Sequence, residues 1–472
     1  METTVDEKRP LTAETRVYGR RWWILAVFCM TCCVLSIIWN TWGPVAESSE
    51  IVFGWTDGNV ALVANLSIIS YMFLVIPMCM MMDTKGLRFP MILCTGMLFF
   101  CSVIRCFSLE PVTATVTAYV CGLIKGIATT MPFSGPPLVA AVWFPPAERP
   151  VATAIGSFFN YMGVSLSFII GPQLVPDPVY QDHVQNSTNT SVTNVTGSVK
   201  YVIHPVKNEV VNMGSLRQGI LNLLYTHSAF AGLAFILTIA YFPSKPPHPP
   251  SITASIQRTD YKQALIRILR NGSLWLIVLA CGIPIGVIGV WIANLDVVLK
   301  PLGVTQIDAG WMGFWHTLIG CFLGIFIAKF SDLFNRRRKL FLISLFTCAM
   351  VCSIWFALLC TSVIMYDLKS LYASCILLGI FINGTTPLIY EICTEASYPV
   401  AEGVTGGFYT LVGNVGGVIF LSLVSVPNIG TEWMNWTVLG SLVVAIPMLF
   451  VFPERYKRTD IDLNRDVEIH SS

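Results

Sequence analysis

Twelve stretches of this chain are long and apolar enough to cross a lipid bilayer: 22–46, 58–82, 90–107, 112–143, 151–175, 219–242, 273–299, 309–330, 340–365, 370–395, 402–427 and 435–453. No other feature narrows the possible folds so far. Hydrocarbon offers the backbone no water, so a span must satisfy its own N–H and C=O groups as a helix or share them in a closed barrel. Runs of about 20 residues suit helices, whereas barrel strands are about half as long and alternate in polarity. The expected fold class is therefore all-α and integral to the membrane, with 12 transmembrane helices. Composition agrees, since 12% charged residues and a mean hydropathy of +0.67 lie far from an ordinary soluble domain, where about a quarter of residues are charged.

The distribution of charge gives an orientation. Loops on the side of the N-terminus hold 21 Lys and Arg, against five in the opposite loops, and positive residues favour the cytosol. Both termini are expected there. The segment 176–218 falls on the far side and carries sequons at Asn186, Asn189 and Asn194, which are glycosylated only on a lumenal or extracellular face. No short apolar core with a small-residue cleavage site follows residue 21, so the first span is expected to remain as an anchor. Most of the 15 cysteines sit inside apolar runs and read as small buried hydrophobes, with no metal set among them.

Landmarks recur at offsets of 249 to 256 residues. Phe144-Pro-Pro-Ala-Glu-Arg answers Tyr398-Pro-Val-Ala-Glu-Gly, Thr129-Thr-Met-Pro answers Thr385-Thr-Pro, Asp83 with Arg88 answers Asp332 with Arg336, and Trp39 answers Trp291. The chain therefore divides into a tail 1–21, a six-helix half 22–242, a linker 243–272, a second half 273–453 and a tail 454–472. Two parallel repeats of six spans match transporters that bind substrate between their halves near the midplane. The Asp83 and Asp332 loops resemble the short Asp-and-basic motif of the major facilitator superfamily, although the second copy lacks the usual glycine.

VYGRRW, WNTWGP, DAGWMGFW, LYASCILLG and the YEICTEASYPVAEG block together resemble solute carrier family 49. The resemblance implies the major facilitator fold and proton-dependent transport of pyridoxine in the lysosomal membrane; other members carry choline, ethanolamine or haem. It also implies a sorting adaptor for the N-terminal tail, whose dileucine-like Glu7–Leu11 is followed by Thr12. Because choline-carrying relatives place an aromatic residue at the positions of Trp39 and Trp291, both indoles are expected to meet substrate.

The residues themselves leave the site assignments open. Trp39 and Asn40, beside Trp42, and Trp291 and Asn294 are either cavity residues able to sandwich a ring or hold a cation, or interfacial anchors and packing. Asp296 follows as a gate or surface charge. Lys125 is the deepest cation, either an anion contact or part of a packing ion pair. Asn383, Pro387, Glu391 and Glu395 recur every four residues, so they share one helix face. On that face Glu391 is the expected proton carrier, because desolvation raises a carboxylate's pKa. Glu395, one turn closer to the cytosol, is expected to meet Arg149 or the Arg336 cluster. A gate in which both glutamates are ion-paired is the competing reading. His316 and His227 are alternative proton carriers.

With no Walker loop, no H-E-x-x-H and no long soluble segment, neither an enzyme nor a need for a cofactor or metal is expected. Nothing marks a nucleic-acid surface. The partners expected are a small organic solute, protons and the bilayer. Secondary transport leads, and a non-transporting sensor on the same scaffold is the rival.

Overall fold

The computed structural model describes residues 16–145, 148–179, 211–248, 261–331, 337–365, 367–397, 402–424 and 430–454, with residues 400 and 426. Asn186, Asn189, Asn194, Asp332, Arg336 and the segment around Leu11 lie outside them, as does the side chain of Asp83.

The first half contains α1 (Arg21–Trp39), a 3-10 turn (Gly43–Val45), α2 (Ala46–Phe53), α3 (Asp57–Lys85), α4 (Arg88–Ile104), α5 (Pro111–Ala128), α6 (Thr130–Trp143), α7 (Arg149–Leu174) and α8 (Met213–Ala240). After α9 (Tyr261–Arg270), a short helix with a basic last turn, the second half contains α10 (Gly272–Ala293), α11 (Leu295–Leu299), a 3-10 turn (Lys300–Leu302), α12 (Gln306–Ser331), α13 (Arg338–Cys360), α14 (Leu368–Ser397), α15 (Glu402–Val424) and α16 (Glu432–Val451). Among the described residues, ten apolar helices are long enough to cross a membrane. The apolar α4 is shorter at 17 residues, and α12, with 26, stands at the expected eighth span.

Two expected spans prove to be broken helices, and a third is notched. The first stops at Trp39, where Asn40 leaves helical geometry and Gly43-Pro44 starts a separate turn. The seventh stops at Ala293, with Asn294 in nearly the same backbone conformation (φ −112°, ψ 28°, against −98° and 37° at Asn40). The fourth is notched at Thr129, ahead of Pro132 and Pro136, but Thr129 keeps helical dihedrals (φ −61°, ψ −16°) and the span continues through it. In a membrane such breaks persist only where protein or a cavity meets the freed backbone groups. Here Asn294 caps its own break, its Nδ2 donating to Val290 O at 2.8 Å.

Two contacts join the halves along their length, α7 against α12 and α3 against α15. The ends of the bundle differ. At the tail end, from which both chain termini emerge, Arg21 pairs with Glu148 at 3.0 Å within the first half. In the second half, Arg338 pairs with Glu391 at 2.9 Å, and Lys339 donates to Phe450 O and Phe452 O at 2.8 and 2.7 Å. At the loop end, from which the 176–218 segment departs, the polar contacts cross between halves. A Cβ on Gly43 would lie 2.0 Å from Ala293 O, and one on Gly310 would lie 2.2 Å from Phe168 O. Both positions require glycine for this approach.

Candidate functional site

The two asparagine breaks meet between the halves. Around them lies a cavity of about 30 Å³, lined by Trp39, Asn40, Trp42, Lys125, Asn294 and apolar residues of α3, α10 and α15. That volume holds about two waters, well below the several hundred Å³ of an open ligand pocket. As it stands the space is too small for an organic solute. Its walls are chemically specific all the same. Asn40 is positioned by its Nδ2 donating to Ser167 Oγ at 2.9 Å. Lys125, buried on α5, donates to the free carbonyl of Trp39 at 3.4 Å, so the α1 break supplies part of the lysine's solvation. Trp42 packs edge-on against Phe53 and Trp55, with ring centroids 5.9 and 5.1 Å apart. Its buried indole N–H has no hydrogen-bond partner among the described residues. This lining presents indole faces, N–H donors and one cation, with no carboxylate.

Carboxylates gather instead just beyond it, at the loop end. Asp296 on α11 is buried and accepts the backbone N–H of Glu47, on α2, at 3.3 Å. Burial pushes Asp296 up to about 7; the Glu47 N–H opposes this, and the negative charge of Glu47 adds to it. Lys300 reaches Glu50 at 2.7 Å across the halves. Burial, followed by a side-chain hydrogen bond with Asp57, pushes Glu50 up to about 8, against the pull of Lys300. Glu50 therefore takes up a proton already at mildly acidic pH, beside the Lys300 ammonium. Burial pulls Lys300 down, but the hydrogen bond and charge of Glu50, with Glu47 and Asp57 beyond, leave it raised. Gln306 completes the seam, donating to Ser48 Oγ and Asp177 Oδ1, both at 2.9 Å.

Comparison with known proteins decides what this bundle is. The Major Facilitator Superfamily family model matches residues 217–421 and 289–466. A solute carrier family 49 member 4 homolog from Xenopus tropicalis is 32% identical over 95% of this chain and 94% of its own length. The chain belongs to solute carrier family 49. A choline/ethanolamine transporter of Felis catus, FLVCR1, is 23% identical over 94% of the chain and 75% of its own. A bacterial homolog of the human lysosomal transporter Spinster, solved in an inward-facing, unoccupied conformation, shares the fold. Its TM-score is 0.64 at 14% identity, over 93% of this chain and 98% of that one. The protein is thus a multi-pass major facilitator transporter and not an enzyme.

Within this family 49 transporter, the positions singled out in the sequence separate. Trp39, Asn40, Lys125 and Asn294 come together at the cavity. Trp291 does not join them. Although it answers Trp39 in the repeat, it is 1% exposed and turned into the second half, where its Nε1–H donates to Asn435 Oδ1 at 2.9 Å and its ring packs edge-on against Phe356 at 5.0 Å. Asn383 and His316 also lie inside the second half: Asn383 Nδ2 donates to His316 O at 3.3 Å, and His316 Nδ1 sits 2.8 Å from Cys375 O.

Glu391 is ion-paired to Arg338 of the basic cluster, as in the reading that places both glutamates in a gate. With its side chain half exposed at the tail end it stands away from the cavity, whereas Glu395 is buried. Arg88 stays with the first half, its backbone N–H donating to Ser244 Oγ at 3.2 Å. The sequence reading missed Trp42 as a cavity donor and the Glu50–Asp57–Lys300 seam, and it treated Asp296 as peripheral. The signal for Asp296 was present: it lies two residues past an asparagine break that recurs 254 positions apart.

Proposed function

We propose that this transporter moves pyridoxine, or a neutral aromatic solute of similar size, together with protons across the lysosomal membrane, with its loop end in the lumen and both termini in the cytosol. The cavity chemistry carries this reading. Indoles of Trp39 and Trp42 suit the faces of a pyridine ring, while the Trp42 and Lys125 N–H groups suit its ring nitrogen and hydroxyl oxygens. The amides of Asn40 and Asn294 suit hydroxyl donors. A quaternary ammonium would meet the same indoles but also Lys125, with no carboxylate in the lining to offset the repulsion. Choline is therefore the second reading, favoured by the choline/ethanolamine transporters among the relatives.

Proton coupling is assigned to the loop-end carboxyls. Protons from an acidic lumen neutralise Asp296 and Glu50, which lets the seam close behind bound solute and bias the cavity towards the cytosol. Glu391, paired with Arg338, takes the role of a tail-end latch.

Labelled pyridoxine uptake into proteoliposomes, with and without an imposed pH gradient and with choline as competitor, tests this. Gradient-driven accumulation insensitive to choline is expected; accumulation of choline in preference to pyridoxine would hand the site to the second reading. Orientation is tested separately in cells. Replacing Asn186, Asn189 and Asn194 together should abolish the glycosidase-sensitive mobility shift.

A further inference from the structure

Behind the cavity the first half holds a charged cluster of which transport of a neutral solute uses only Lys125. Arg105 ends α4 and is 3% exposed, yet its Nε, Nη1 and Nη2 have no hydrogen-bond partner among the described residues. The ionisable groups acting on its guanidinium are the thiols of Cys121, Cys101 and Cys106, with no carboxylate among them. Lys125 on α5 and His227 on α8 are equally buried; Arg105 acts on Lys125 as a like charge, and both act on His227. The Nδ1 of His227 is also without a partner among the described residues. Since α4 packs against both α5 and α8, three neighbouring helices bring basic groups together and supply no acid.

A guanidinium cannot shed its proton to escape such a place, and a buried charge without a compensating partner is strongly destabilising. The thiols do not provide the missing anion. Cys121 Sγ donates to Cys101 O at 3.3 Å, and Cys106 Sγ donates to Ser102 O at 3.3 Å; both are engaged as neutral S–H groups. Lys125 opens the cluster to the central cavity, because it also lines that cavity and spends only one long hydrogen bond on Trp39 O.

We propose that Arg105, Lys125 and His227 form an anion-binding site in the first half, entered from the central cavity past Lys125, for a small anion: a free halide, or the carboxylate or phosphate group of a solute. The site goes beyond the transport reading, and its test reads binding, so either idea can fail alone.

Full-length protein purified in bulky gluconate is titrated with chloride, acetate and inorganic phosphate while the midpoint of thermal unfolding is followed. A saturable rise with at least one of the three is expected, with half-saturation at least ten-fold weaker in Arg105→Gln and Lys125→Gln. A response to chloride alone assigns the site to a free halide; a response to acetate or phosphate assigns it to an anionic group of a solute. Arg105→Met guards against loss of folding. Removing an unpartnered charge should leave it at least as stable as wild type in gluconate and blind to all three anions. Cys121→Ser should keep the wild-type response. The proposal is overturned if none of the anions shifts wild type, if Arg105→Met still responds, or if Arg105→Met unfolds markedly earlier in gluconate, which would make Arg105 a structural partner.

Discussion

Trp39-Asn40 and Trp291–Asn294 occupy answering places at the end of the first helix of each half, yet they do different work. The backbone is alike in both, each helix breaking at its asparagine with nearly the same dihedral angles. The indoles part company. Trp39 is half-buried at the cavity, whereas Trp291 is enclosed by Phe356 and tied to Asn435. The two tryptophans stand out of register with their breaks, Trp39 one residue before its asparagine and Trp291 three before, and two residues turn a helix by about 200°, so the indoles face opposite ways. The halves also differ in buried charge. The first encloses Arg105 and Lys125, and the second buries Asp296 and Glu395.

The largest effect should come from the point where the two breaks touch. Gly43→Val places a side chain against Ala293 O, where even a Cβ would sit at 2.0 Å. The loop end then cannot close as it does here, and proteoliposome uptake should fall at least ten-fold with labelling of loop-end cysteine probes increased. Wild-type uptake in this variant would mean that the halves need not approach so closely during transport.

The second test splits the tryptophans. Trp291→Ala should lower stability by about 3 to 5 kcal/mol, as for other large-to-small core changes, and leaves Asn435 without its donor. Trp39→Ala should leave the unfolding midpoint nearly unchanged and raise the apparent KM about two- to ten-fold, the equivalent of about 0.5 to 1.5 kcal/mol of stacking. If the two variants lost stability equally, with unchanged KM for Trp39→Ala, the asymmetry would have no functional meaning.

Charge sharpens the comparison through pH. Asp296 has a folded pKa of about 7 against an ordinary 3.8, so between those values the folded protein binds more protons than the unfolded chain. Stability should then fall as pH rises from about 4 through 7. Glu50, raised to about 8, extends the same trend by a further step. Asp296→Asn should flatten the lower part of the profile and weaken the acceleration of uptake by lumenal acid. An unaltered pH profile would remove Asp296 from the coupling scheme.

The smallest effect is expected at the tail end. Glu391→Gln breaks a half-exposed pair with Arg338, so stability should change by about 1 kcal/mol or less. Gradient-driven accumulation should survive. Its loss, with solute exchange retained, would return proton carriage to Glu391.

Much of the architecture was legible because bilayer physics acts on composition. Apolar runs near 20 residues have few alternatives to helix, and constant offsets between landmarks exposed the two halves. The recurrence of Asn40 as Asn294, 254 positions on, also marked the breaks, although the reading placed those spans as continuous. What failed was assignment by helical face. The four-residue spacing of Asn383, Pro387, Glu391 and Glu395 does place them on one face, but that face spans three environments: Asn383 against His316, Glu391 with Arg338, and Glu395 buried.

By itself, then, the sequence determined a helical, two-halved membrane bundle of the major facilitator kind, because hydrophobic length and repetition are properties of the chain read locally. Only the tertiary structure decided which of the paired tryptophans faces the cavity, and that Lys125 solvates the α1 break. It alone brought Glu50 of the first half against Lys300 of the second in one seam at the loop end. Those outcomes depend on contacts between helices hundreds of residues apart, where a single partner such as Asn435 or Asp57 sets a side chain's direction or charge, and no local pattern announces that partner in advance.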